Sequence, residues 1–335
     1  MKKILLITVI IAFFFSISCT NPYRRENLFD SGKLPSTPEN LLDFNTVFDD
    51  FNAAAPITVK IPLCFSTNRH SNGNDFDIIC QAFELILIRQ TGELNVINMS
   101  LDSNYNNRNF KIIEAGLNKI KSSGNELGPN LISNESLNYT DRDTFTLLYS
   151  TNVSGNAQIN FITNRNNEFF SEPKEVSFLN SNFDDLYPTF NSEKNKIYFC
   201  SNRNQKDFNF YYVNVNPVKE IDLLLSDTSS YEIFMDSTLS GSSDDKCPFI
   251  FGNKMVFASN RSGGYGGYDL YYSIFKNGEW SSPVNFGEKI NSTSDDFRPI
   301  IFEQDVSKTQ LMMVFSSNRP GGLGGYDLYF TGIEK

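Results

Sequence analysis

Histidine occurs once in this 335-residue chain, at position 70, and tryptophan once, at 280. A single imidazole cannot build a multi-histidine metal centre, and a Ser–His triad would rest on that one residue. Cysteine is also scarce. The five are Cys19, Cys64, Cys80, Cys200 and Cys247, none in a CxxC or CxxH spacing, which argues against structural zinc. Basic runs are missing: 29 Lys and Arg face 39 Asp and Glu, for a net charge of −10. Nothing here tracks a phosphate backbone, so nucleic acid is excluded as a partner. No apolar stretch is long enough for a membrane-spanning helix. The run from Ile4 to Phe15 has twelve residues, against about 20 needed to cross roughly 30 Å of hydrocarbon.

That run instead has the form of a signal peptide. Lys2 and Lys3 precede it, and the small pair Ser16 and Ser18 flanks Ile17 just before Cys19. A cysteine at this point is expected to carry a lipoprotein diacylglycerol. An ordinary secretory signal that happens to contain a cysteine is the alternative, because Ser16 holds the place where the lipoprotein box usually has Leu, Val or Ile. Removing Lys2 and Lys3 with residues 1–18 leaves a net charge of −12. An acidic body offers little to anionic headgroups, so the lipid on Cys19 would be the whole membrane attachment. Residues 20–40 are polar, hold three prolines and show no apolar period. The expected organisation is a signal at 1–18, a lipidated tether at 19–40 and one domain at 41–335.

The domain is a set of repeats. MVFASNRSGGYGGYDLYYS from Met255 and MVFSSNRPGGLGGYDLYFT from Met313 are near-duplicates 58 residues apart, and IYFCSNRNQKDFNFYYV from Ile197 lies 58 before the first. LCFSTNRHSNGNDFDIIC from Leu63 is a fourth copy. LLYSTNVSGNAQINFIT from Leu147 is a fifth and weakest, with Val153 in the arginine's place. Before each copy stand one or two acids and then a proline: Asp49-Asp50 with Pro56, Glu126 with Pro129, Asp184-Asp185 with Pro188, Asp244-Asp245 with Pro248, and Asp295-Asp296 with Pro299. Alternating Phe- and Tyr-rich segments between Asn, Gly, Ser and Asp clusters read as strands and turns.

An all-β fold follows: a β-propeller of about five four-stranded blades. A degenerate sixth blade between Glu84 and Lys121 is the alternative. Insertions lie near residues 84–108 and 215–236. The last repeat stops shortly after its third strand, and LLDFNTVFDD (Leu41 to Asp50) resembles the outer segments PVNFGEKINSTSDD and EVSFLNSNFDD. The N-terminal strand is therefore expected to complete the last blade and remove an open edge.

The run SNRSGGYGGYDLYYSIFKNGEWSSPVNFGEKINSTSDDFRP resembles the WD-like propeller repeats of the TolB type, which also accompany OmpA-like envelope domains. The likeness is strong over residues 244–335, fair over 184–213 and degraded in the first two units. It implies a cell-envelope propeller of a Gram-negative bacterium, lipid-anchored to the outer membrane on its periplasmic or surface face. Its expected work is non-catalytic binding of an envelope protein or a glycan, with no cofactor and no metal.

The recurring residues Asn68, Arg69, Asp77, Asn202, Arg203, Asn260, Arg261, Asp269, Asn318, Arg319 and Asp327 are the candidate ligand-facing positions. The competing reading gives them a structural task, tying a hairpin in every blade. The glycines of SGGYGGYD and PGGLGGYD lie between strands with no helix after them, so they are turn residues rather than a phosphate cradle. Calcium at the acid pairs is a further alternative. Cys64 and Cys80 fall on neighbouring strands, and whether they form a disulfide stays open. Glycosidase or lyase chemistry needs only two carboxylates and is the alternative function. No acid stands out of the repeat pattern as a residue aimed at the axis.

Overall fold

A computed structural model describes residues 32–54, 62–102, 106–134, 144–165, 169–217, 220–304 and 307–335. The expected signal, Cys19 and Pro56 lie outside them. Five antiparallel sheets follow one another along the chain. In blade 1 the inner, second and third strands are Asp50–Ala54, Leu63–Thr67 and Asp77–Gln81. Blade 2 runs Glu126–Asn134, Thr144–Thr151 and Gln158–Thr163, with Lys174–Glu175 outermost. Blade 3 has Asp185–Phe190, Lys196–Ser201, Asn209–Asn214 and the outer Ile233–Met235. Blade 4 has Asp245–Phe251, Lys254–Ser259, Asp269–Lys276 and the outer Val284–Asn285. Blade 5 has Asp296–Phe302, Gln310–Ser317 and Asp327–Glu334.

The fourth strand of blade 5 is Glu39–Asn40, paired antiparallel with Phe330 and Tyr329. Closure thus begins two residues before the expected Leu41 and continues through Leu41 N–H to the Leu328 carbonyl at 2.9 Å. The exchange reproduces a blade in detail. Asn45 clamps Leu328 by a pair of hydrogen bonds, as Asn291 clamps Leu270 in blade 4. Asn40 Nδ2 donates to Asp327 at 2.9 Å, as Asn285 does to Asp269 at 3.0 Å. Residues 33–40, expected as tether, are packed on the domain: Leu34 is 4% exposed and its amide donates to Gln310.

Each inner strand lies against the next, and Asp296–Phe302 returns against Asp50–Ala54, so the ring closes at five. No sixth blade exists among the described residues. The stretch proposed for it forms a hairpin, Phe83–Ile88 with Glu93–Asn98, and a helix, Arg108–Ile120. The helix buries Ile113, Leu117 and Ile120 among Ile78, Cys80 and Phe145, covering the edge of blade 1 where a fourth strand was expected. Asn107 caps it by accepting from Phe110 N–H.

All five inner strands carry a bulge at the same place, between Phe51 and Ala54, Leu127 and Asn130, Leu186 and Thr189, Lys246 and Phe249, and Phe297 and Ile300. The third residue of each strand is left-handed: Asn52, Gly128, Tyr187, Cys247 and Arg298, with φ between 49° and 59°. Proline follows in blades 2 to 5, where a bulge needs no ladder N–H. In blade 1 that place belongs to Ala53, not to Pro56 as the sequence series had it.

Candidate functional site at the propeller mouth and axis

The recurring arginines are held within their blades. Arg69 meets Asp50, Arg203 meets Asp185, Arg261 meets Asp245 and Arg319 meets Asp296, each at 2.5 Å and each with a fully buried carboxylate. The same guanidinium groups donate to the carbonyls of Phe44, Leu179, Leu239 and Ile290 in the segment entering each blade. Their planes also lie over core rings such as Phe199 and Tyr211, at 4.8 and 5.1 Å. Asn68, Asn202, Asn260 and Asn318 accept from the amides of Asp49, Asp184, Asp244 and Asp295 at 2.8 to 2.9 Å. Asp269 and Asp327 accept from turn amides, Tyr265 and Gly266 in one case and Leu323 and Gly324 in the other. Asp77 faces Lys121 at 3.6 Å.

The first acid of each pair joins neighbouring blades. Asp49 accepts from Tyr326 N–H, Asp184 from Ala157, Asp244 from Phe208 and Asp295 from Tyr268. Tyr268 and Tyr326 also donate their phenol groups to Asp244 and Asp295, at 2.8 and 3.1 Å. Burial alone would raise the Asp244 carboxyl; the Phe208 amide, the Tyr268 hydroxyl and Lys246 outweigh it and hold it below its ordinary range. No cluster of three or more metal-ligating side chains occurs among the described residues. His70 is exposed, on a groove of about 380 Å³ between blade 1 and the helix, near Arg69, Glu114 and Lys121.

Around the end where the inner strands begin stand half-buried aromatic rings. Phe51 packs on Phe76 at 4.6 Å and on Tyr326 at 5.9 Å, and Tyr268 on Phe297 at 5.1 Å. Lys246 Nζ lies 4.2 Å from the Phe208 ring centroid. Beneath them the five left-handed residues converge. Arg298 reaches across from blade 5 to the Pro129 carbonyl of blade 2, at 3.1 Å, and over the Tyr187 ring of blade 3, at 5.1 Å. Tyr187 fills the space at Gly128, where any Cβ would stand 2.3 Å from its ring. These positions differ in every blade, whereas the tying residues repeat. A left-handed non-glycine costs roughly 1–2 kcal/mol, and such costs gather at functional sites.

Glu126 was missed as a departure from the repeat. It replaces Asp in the one blade where Val153 replaces Arg, so it is a buried inner-strand acid without a cation beside it. Its Oε1 accepts from Ser122 at 2.5 Å and Thr151 at 3.1 Å, and its Oε2 has no partner. Burial, reinforced by Asp77, pushes its carboxyl up to about 7 against those two hydrogen bonds. The signal was available: a lost arginine opposite a retained acid.

No protein-family model matches the chain, and no curated protein matches it. Among solved structures, an endo-arabinase from Bacteroides thetaiotaomicron is 12% identical with a TM-score of 0.52, over 91% of this chain and 98% of that one. An α-L-arabinofuranosidase from Podospora anserina is 11% identical at TM-score 0.48, over 89% and 98%. An exo-β-1,3-galactanase from Clostridium thermocellum is 12% identical at TM-score 0.49, over 88% and 62%. The fold is thus that of a five-bladed propeller shared with a glycosidase. The likeness to the endo-arabinase corrects the TolB-type reading and, with it, the non-catalytic binding platform; it carries neither the WD-like nor the lipoprotein and outer-membrane assignments. The physical reason lies in the motif itself. Its Asn, Arg and Asp residues build a blade, so they specify an architecture rather than a family.

Proposed function

We propose that this chain is a carbohydrate-active enzyme, a glycoside hydrolase working at the mouth where its inner strands begin. The observation that carries the reading is the correspondence of the whole five-bladed domain to that of an endo-arabinase. The mouth supports it chemically. Phe51, Phe76, Tyr268, Phe297 and Tyr326 offer ring faces and edges on which the C–H face of a sugar packs. Asp244 and Asp295 stand among them with lowered or hydrogen-bonded carboxylates, and Glu126 holds a proton near neutrality. A carboxyl that keeps its proton and one that stays ionised are the two roles that glycoside hydrolysis divides, and Glu126 and Asp244 have those two characters.

The test is release of reducing ends from arabinan, xylan and β-1,3-galactan by the purified chain between pH 4 and 8. Release from one of them is expected, with loss in at least one of Asp244→Asn, Asp295→Asn and Glu126→Gln while the circular dichroism spectrum is retained. No release from any of the three polymers would overturn the proposal.

A further inference from the structure

We propose that the propeller axis binds a small monovalent inorganic anion of halide size, held by Arg298 and Asn52. Both occupy the same left-handed position on adjoining inner strands, in blades 5 and 1. Arg298 is 1% exposed and Asn52 is not exposed at all. One guanidinium nitrogen of Arg298, Nη2, reaches the Pro129 carbonyl, while Nε and Nη1 have no partner. The Asn52 amide has no partner for Nδ2 or Oδ1, although its backbone N–H reaches Ser316 Oγ at 3.1 Å.

The charge is as incomplete as the hydrogen bonding. Each of the four repeat arginines meets a buried aspartate, but no described carboxylate lies within ion-pair distance of Arg298. Its neighbours Tyr187 and Cys247 are neutral: burial pushes the phenol well up and the thiol to about 12, despite the guanidinium beside them. The Tyr187 ring face offsets part of the desolvation of a cation and one carbonyl another part. Water would supply hydrogen bonds but no charge. An anion supplies both, and the enclosure of the two side chains restricts it to a small one. The site lies beneath the sugar-facing mouth, where Phe297 packs on Tyr187 at 6.4 Å, and its test reads anion binding rather than hydrolysis.

The experiment is thermal unfolding of the full chain at constant ionic strength, with sodium gluconate exchanged stepwise for sodium bromide. A saturable rise in Tm is expected, following the logarithmic dependence of a ligand bound only by the folded state. Crystals grown in bromide should show an anomalous peak beside Arg298 Nε or Nη1. Arg298→Met should remove the bromide dependence, and Asn52→Leu should weaken it if the arginine variant fails to fold. Equal Tm in gluconate and bromide, with no axial peak, would mean water alone completes the site and would overturn the proposal. A bromide dependence unchanged in the variants would place binding elsewhere and overturn it equally.

Discussion

Glu126 provides the sharpest quantitative test, because burial penalises its charge and no described cation offsets it. Its carboxyl is raised from an ordinary 4.5 to about 7, with burial as the largest cause. At about 1.4 kcal/mol per pH unit, ionising it in the folded state costs about 3 kcal/mol more than in the unfolded chain. The sign follows from where each state holds the proton. Below pH 4.5 both states are protonated and the contribution is fully present. Between 4.5 and 7 the unfolded chain ionises while the folded one keeps its proton, so stability falls as pH rises, and above 7 the loss is complete. Glu126→Gln keeps an oxygen to accept from Ser122 and Thr151 and cannot ionise. It sets an amide nitrogen where Oε2 has no partner, a pH-independent cost of about 1–3 kcal/mol. Urea unfolding at pH 5 and pH 8 separates the two effects. The wild type should lose about 2.5 kcal/mol more than the variant across that interval, because the unfolded carboxyl is already partly ionised at pH 5. Parallel stability curves for the two proteins would refute the assignment of a buried, cation-free carboxyl.

Three other expectations follow from the packing. Arg261→Met strands the buried Asp245 carboxylate, which burial already raises, and should cost about 3–5 kcal/mol in urea unfolding; an unchanged midpoint would show the ion pair idle. Gly128→Ala forces a methyl group against the Tyr187 ring at a φ of 58°, and should lower Tm by several degrees, whereas a tolerated alanine would mean the axis is loosely filled. Cys64 and Cys80 face each other across two strands as buried free thiols, and burial raises both, the Cys64 thiol to about 12. They should resist Ellman's reagent at pH 8 in the native protein and react in denaturant without reductant; rapid native labelling would contradict that burial.

What the residues alone determined is everything that recurs. The 58-residue spacing, the acid before each inner strand and the Ser-Asn-Arg turn are local devices, each satisfied within one sheet or its neighbour, so they leave a periodic trace in the chain. The exchange of the first strand into the last blade was legible for the same reason: Asn40 and Asn45 repeat the parts of Asn285 and Asn291. The hairpin and helix between Phe83 and Ile120 break the period, and only packing on blade 1 and the N-terminal segment gives them a place. The axis was hidden more deeply. Asn52, Gly128, Tyr187, Cys247 and Arg298 share no residue type and stand 51 to 76 positions apart, so no spacing marks them. Closing the ring brings five unlike residues toward one line, and the enclosure there, not the residue types, decides which charges go unpaired.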